Sequence, residues 1–181
     1  MTGVRFKVVP PPRSVGELRA MARALPAVPR GEADCCAILL GVSDLTARDD
    51  ARSYLTFLRA LELLAVDDDR YHRVRPAPDD ETLARSFRER VFVADAVLDA
   101  LPRSPPPVGS DAPEPVGGTA VDAFAAVRDR IPQWERSRHQ DWEATWRDRV
   151  GELLGWAVEL GLAERVATGT GPRYWRRADA G

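Results

Sequence analysis

Lysine is almost missing from this chain: of its 26 basic side chains, only Lys7 is not an arginine. Arginine's planar fork suits phosphates and guanine edges, but a GC-rich codon bias yields the same composition, so this absence alone assigns no function. Cysteine is scarce as well, and the two present, Cys35 and Cys36, are adjacent. That placement suits buried thiols in a reducing compartment better than a disulfide framework. Of the two histidines, His72 and His139, neither stands at a spacing that forms a metal site with the cysteines. No glycine-rich phosphate loop follows a strand, and no serine sits in a glycine-flanked elbow. An enzyme is therefore not expected, and neither is a metal or other cofactor. No apolar run approaches the roughly 20 residues that span a bilayer, and residues 1–12 lack the apolar core of a signal peptide. These absences predict a cytoplasmic protein with no membrane partner. Net positive charge is lacking too: the formal value is −2, so contact with nucleic acid has to rest on a local patch.

What is present fits an ordinary globular chain. Its 181 residues, 44% hydrophobic and 30% charged, suffice for one domain or two small ones. Between Pro102 and Thr119 prolines and glycines accumulate and no apolar period survives. This stretch reads as an extended linker. The expected organisation is a first unit over residues 1–101, a Pro/Gly-rich linker over 102–119 and a second unit over 120–181.

In the first part, Phe6 and Val8 alternate with Arg5 and Lys7 in a possible short strand before Pro10. Ser14 followed by Glu17 has capping-box spacing, and Val15, Leu18, Met21, Ala22 and Leu25 mark one helical face that Pro26 stops. A short apolar helix is expected over Ala33–Leu40, broken by Gly41-Val42-Ser43, with glycine free to turn left-handed at the helix end. A longer helix over Thr46–Leu64 has the buried stripe Ala47, Ala51, Tyr54, Leu55, Leu58 and Leu61. Leu64–Val66, the acidic turn Asp67–Asp69 and Tyr71–Arg75 then form a hairpin. A further helix over Asp80–Leu101 serves as a dimerisation arm or packs back on its own unit.

The order of helix, short helix, glycine turn, long helix and hairpin over residues 14–75 resembles the winged helix-turn-helix superfamily. The residues that carry the resemblance are Leu40-Gly41-Val42-Ser43, the helix from Thr46 and the hairpin to Arg75. After the linker the theme returns. A helix over Val121–Ile131 and a short one from Pro132 precede a third, capped by Asp141, with Trp142, Trp146, Val150, Leu153, Ala157 and Leu160 on one face. Gly161 ends it, and a hairpin runs from Leu162 to Arg177 around Thr168–Pro172. The fold class expected is mainly α with small β-hairpins (α+β), as two winged-helix units resembling prokaryotic transcription regulators.

Such a resemblance implies double-stranded DNA as partner. Arg48, Arg52, Thr56 and Arg59 share one face of the long helix, where a recognition helix meets the major groove. Tyr71, Arg73 and Arg75 alternate onto one side of the first hairpin, and Arg173 and Arg177 flank the uncharged tip of the second. Asp49, Asp50 and Asp67–Asp69 oppose phosphate contact, and the same charges also fit a solvated surface. All five tryptophans lie beyond the linker. Trp142 and Trp146, one turn apart, fit a core face or a partner-binding surface. Two functions follow: a DNA-binding transcription regulator, with a homodimer or a protein partner expected beside the DNA, or a tandem winged-helix adaptor that binds protein without DNA.

Overall fold

The computed structural model describes residues 5–103, 117–138 and 140–177. Two compact units divide the chain, Met1–Phe92 and Val93–Gly181.

Unit 1 contains α1 (Val15–Ala24), α2 (Glu32–Val42), α3 (Arg48–Ala60), β1 (Leu64–Asp67), β2 (Arg70–Arg73) and α4 (Asp80–Arg90). The expected capping box opens α1: Glu17 N donates to Ser14 Oγ at 3.2 Å, and Ser14 N donates back to the Glu17 carboxylate at 3.0 Å. Leu18, Met21 and Ala22 turn inward. The expected break over Gly41-Val42-Ser43 falls at its last residue, and Gly41 itself stays helical. Helix α2 runs through it to Val42 and ends where Ser43 goes extended, its hydroxyl donating to Leu39 O at 2.6 Å.

Helix α3 buries Ala51, Tyr54, Leu55, Phe57 and Leu58. Ala47 is its exposed N-cap rather than a core residue. Phe57 takes up burial instead, because α4 packs back on α3 and sets Phe87 edge-on to Phe57 at 6.4 Å. Beyond Leu61, Glu62 adopts a left-handed φ of 62° and Leu64 begins β1, so the helix stops short of the expected Leu64. The hairpin pairs Leu64 with Arg73 and Asp67 with Arg70. Asp68 and Asp69 occupy the left-handed positions of a two-residue turn, φ 48° and 60°, which short polar side chains tolerate. A bridge from Arg30 to Tyr71 lays a third chain segment beside β2, with N–H···O bonds of 2.9 and 2.7 Å.

The helix expected over Asp80–Leu101 is two helices in different units. After Arg90 the chain extends: Phe6 N donates to Arg90 O at 2.7 Å, and Phe92 N to Phe6 O at 2.8 Å. The expected N-terminal strand contracts to this bridge between Phe6 and Val91. Val93 then turns left-handed, φ 58°, and α5 (Ala94–Asp99) starts unit 2.

Unit 2 continues with α6 (Ala120–Val127), a 3-10 turn over Arg128–Arg130, α7 (Gln133–Arg138), α8 (Trp142–Glu159), β3 (Ala163–Thr168) and β4 (Gly171–Arg176). Helix α5 packs on α6 and α8. The Pro/Gly segment is therefore not a connection between the units. Its flanks Arg103 and Gly118 both bridge to β4, at Arg176 and Tyr174, while residues 104–116 lie outside the described set. Thr119 and Asp122 cap α6 reciprocally: Asp122 N donates to Thr119 Oγ1 at 3.1 Å and Thr119 N to Asp122 Oδ2 at 3.0 Å. Asp141 holds the N-cap position of α8 without a side-chain cap bond. Gly161 takes the left-handed conformation, φ 71°, that ends this helix stretch.

The units thus repeat one order: helix, bridging residue, cap, helix, long helix, hairpin. Arg30 and Gly118 occupy equivalent places, each followed by the N-cap of a helix, Gly31 and Thr119. In unit 2 the short α7 fills the place of the connection from Ser43 to Ala47 in unit 1. No helix among the described residues is long and apolar enough to cross a membrane.

Candidate nucleic-acid interface

The flank of α3 opposite its buried stripe is open to solvent at Arg48, Asp49, Asp50 and Arg52. The two aspartates favour the positive end of the helix, but they also bring carboxylates to the arginines. Arg52 donates from Nε to Glu32 on α2 at 2.8 Å and from Nη1 to Asp49 at 3.3 Å. Arg48 reaches the buried Cys36 thiol, which burial and then Glu32 push above its ordinary range against the weaker pull of Arg48 and Arg52. Thr56 donates its hydroxyl to Arg52 O at 3.1 Å. Arg59 is half-buried and stacks over the Phe6 ring at 5.4 Å, a position Arg90 shares at 5.4 Å from its own side. The four expected residues do share one helix face, with Arg52 held by acids and Arg59 laid on an aromatic ring.

On the first hairpin the alternation is as expected but the side is the opposite one. Arg73 stands across from the buried Leu64, so it points towards the helices. Its Nη1 donates to Arg23 O at the end of α1, at 2.6 Å. Tyr71 is half-buried beside it, and Arg75, past the strand, is exposed. On the other face His72 Nδ1 lies 3.6 Å from Asp67. His139 lies outside the described residues.

In unit 2 the strand β3 is exposed from Glu164 to Thr168. Thr168 closes the tip by donating to Gly171 O at 2.6 Å. Arg173 turns in, donating to Gly117 O at 3.3 Å, and Arg177 pairs with Glu164 at 3.4 Å. Arg165, on β3 opposite Tyr174, is a further exposed arginine of this hairpin. Sequence reasoning passed over it because it sought arginines only after the tip; the strand alternation from Leu162 to Ala167 was the available signal.

The tryptophans are mostly core. Trp146 is 3% exposed and Trp156 is fully buried, so Trp146 cannot present a ring to a partner. Trp142 is half-buried, tilted against Phe124 at 6.3 Å, with the guanidiniums of Arg128 and Arg136 at 5.6 and 5.4 Å from its ring centre. The exposed ring is Trp134, at 54%.

Comparison with known proteins gives one correspondence, and it spans nearly the whole chain. The family model described as the halobacterial double winged helix domain matches residues 4–176. No curated protein and no solved structure matches the chain.

Proposed function

The chain belongs to the halobacterial double winged helix domain family, and from that membership we propose that it is a DNA-binding transcription regulator. The observation that carries this reading is the two-sidedness of α3: Ala51, Tyr54, Leu55, Phe57 and Leu58 are fully buried while Arg48 and Arg52 stand in solvent, with a hairpin directly after. A helix seated in this way can enter a major groove. Arg48 and Arg75 in unit 1 and Arg165 in unit 2 are the exposed cations best placed to meet phosphates or base edges.

Fluorescence anisotropy of the full chain with genomic DNA fragments tests it. Binding should weaken steeply with salt, and replacing Arg48 or Arg165 by alanine should each lower the slope of log affinity against log salt by about 1. Absence of binding even near roughly 50 mM salt removes the reading. A protein-binding adaptor is the second reading. It is favoured by the acidic tip Asp67–Asp69 and by the capture of Arg52 by Glu32. A stoichiometric protein partner recovered without DNA from the native cell decides for it.

A further inference from the structure

We propose that unit 1 holds a binding site for a compact organic dianion, a phosphate ester or a dicarboxylate, in the cleft between α1 and the chain that leaves β2. The cleft has about 540 Å³ of space, part of it open solvent, and four arginines line it: Arg19, Arg23, Arg73 and Arg75. No carboxylate lines it, in a chain whose formal charge is −2. Arg19 is neutralised by Asp80 at 2.7 Å. Among the described residues Arg23, Arg73 and Arg75 have no acidic partner.

Arg73 is the informative member. Its Nη1 is spent on Arg23 O, and its Nε–H is buried with no acceptor. Buried donors are nearly always satisfied, and this one, on a half-exposed side chain at the cleft wall, is not. An anion in the cleft, with a small turn of the Arg73 side chain, supplies both the missing acceptor and the missing charge. Leu63 and Val74 give the cleft an apolar wall, so the ligand carries a few carbon atoms besides its charges. Bound there, the ligand ties the last turn of α1 to β2 and to residues 74–77, and thereby sets the hairpin that follows α3. The phosphates of DNA offer the same charge and Arg75 belongs to both readings, but no residue of α3 lines this cleft, and the duplex arm of the test separates the two.

Isothermal titration of the full chain with phenyl phosphate, succinate and neutral benzyl alcohol decides it, with a short DNA duplex as a fourth arm. We expect phenyl phosphate or succinate to bind with Kd of about 1 mM or tighter, and which of the two binds tells phosphate from carboxylate chemistry. The double variant Arg23→Ala/Arg75→Ala, both positions exposed, should weaken that binding at least tenfold without moving the melting temperature. No heat from either anion, equal affinity in the variant, or equal binding of benzyl alcohol overturns the proposal. So does a duplex that binds through Arg23 and Arg75 while both small anions fail.

Discussion

Replacing Gly117 by alanine tests whether the residues after the Pro/Gly segment belong to the body of unit 2. A Cβ built on Gly117 lies 2.5 Å from Trp175 Cζ2 and 2.7 Å from its Cε2 and Cη2. Carbon atoms rest at about 3.5–4.0 Å, so something must move by about 1 Å. Neither side yields easily. Trp175 is 6% exposed, and the adjacent Gly118 is tied to Tyr174 by two backbone bonds of 3.0 and 2.9 Å. Overpacking of this kind costs about 1–3 kcal/mol, and each kcal/mol lowers the melting temperature of a domain this size by about 4–8 °C. All five tryptophans lie in unit 2, so tryptophan emission on heating follows that unit alone. Gly151→Ala in the middle of α8 is the internal control: nothing lies within 4 Å of its added Cβ, and relief of glycine's conformational freedom in a helix should stabilise by about 0.5–1 kcal/mol. The two variants should shift the transition in opposite directions. If Gly117→Ala melts with the parent, residue 117 is outside the unit and the reasoning fails.

Three further substitutions test the packing and the ionised groups. Phe87→Ala should destabilise unit 1 by about 3–5 kcal/mol in urea, since the ring is fully buried against Phe57; a loss under about 1 kcal/mol would mean that α4 does not pack where it is placed. Burial holds the Glu152 carboxyl above its ordinary range. A raised folded pKa gives stability below the unfolded value and loses it as pH rises through the folded one, so the charge is a cost at neutral pH. Glu152→Gln should raise the unit 2 melting temperature at pH about 7, with the gain fading towards pH about 4; a pH-independent effect contradicts this. Bonds from the Thr119 side chain and backbone hold Asp122 below its ordinary range, which stabilises above the unfolded pKa and is lost on acidification through the folded one. Thr119→Ala should cost about 0.5–2 kcal/mol and bring the Asp122 titration, followed by NMR, back towards ordinary carboxylates; an unmoved titration refutes the cap.

Features that depend on neighbours along the chain were legible. The Ser14/Glu17 box, the 3.6-residue period of α3, the two hairpins and the winged-helix order all follow from local chemistry. The start of unit 2 was not, because the apolar period continues across the break: Leu83, Phe87, Val91, Ala94, Val97 and Leu98 are all buried. Only the pairing of Val91 with the distant Phe6 and the left-handed Val93 interrupt the helix, and neither shows in local periodicity. The Pro/Gly stretch has the composition of a linker whichever elements it joins. At the candidate interface, spacing placed Arg48, Arg52 and Arg59 on one face correctly. It could not supply Glu32 or Phe6, which reach those arginines from other elements. Strand alternation grouped Tyr71 with Arg73, but the inward side was set by Leu64 across the ladder.

The repeated topology carries unequal chemistry, and this limits how any nucleic acid could be held. In unit 1 the hairpin tip is Asp67, Asp68 and Asp69, all exposed, and such a tip is repelled by phosphate at every salt concentration where charge matters. Unit 1 is left with the first turns of α3 and with Arg75 past β2. There Arg52 would have to exchange Glu32 and Asp49 for a phosphate. Exposed ion pairs contribute little to stability, so the exchange is feasible, yet it leaves two carboxylates unpaired beside the anion and gains little net charge. The tip of unit 2 carries no acid, and Arg165 stands exposed on β3 beside it. A double winged helix built in this way would share its salt-dependent affinity between Arg48 at the start of α3 and the second hairpin, with Arg52 joining only where an anion displaces its carboxylates.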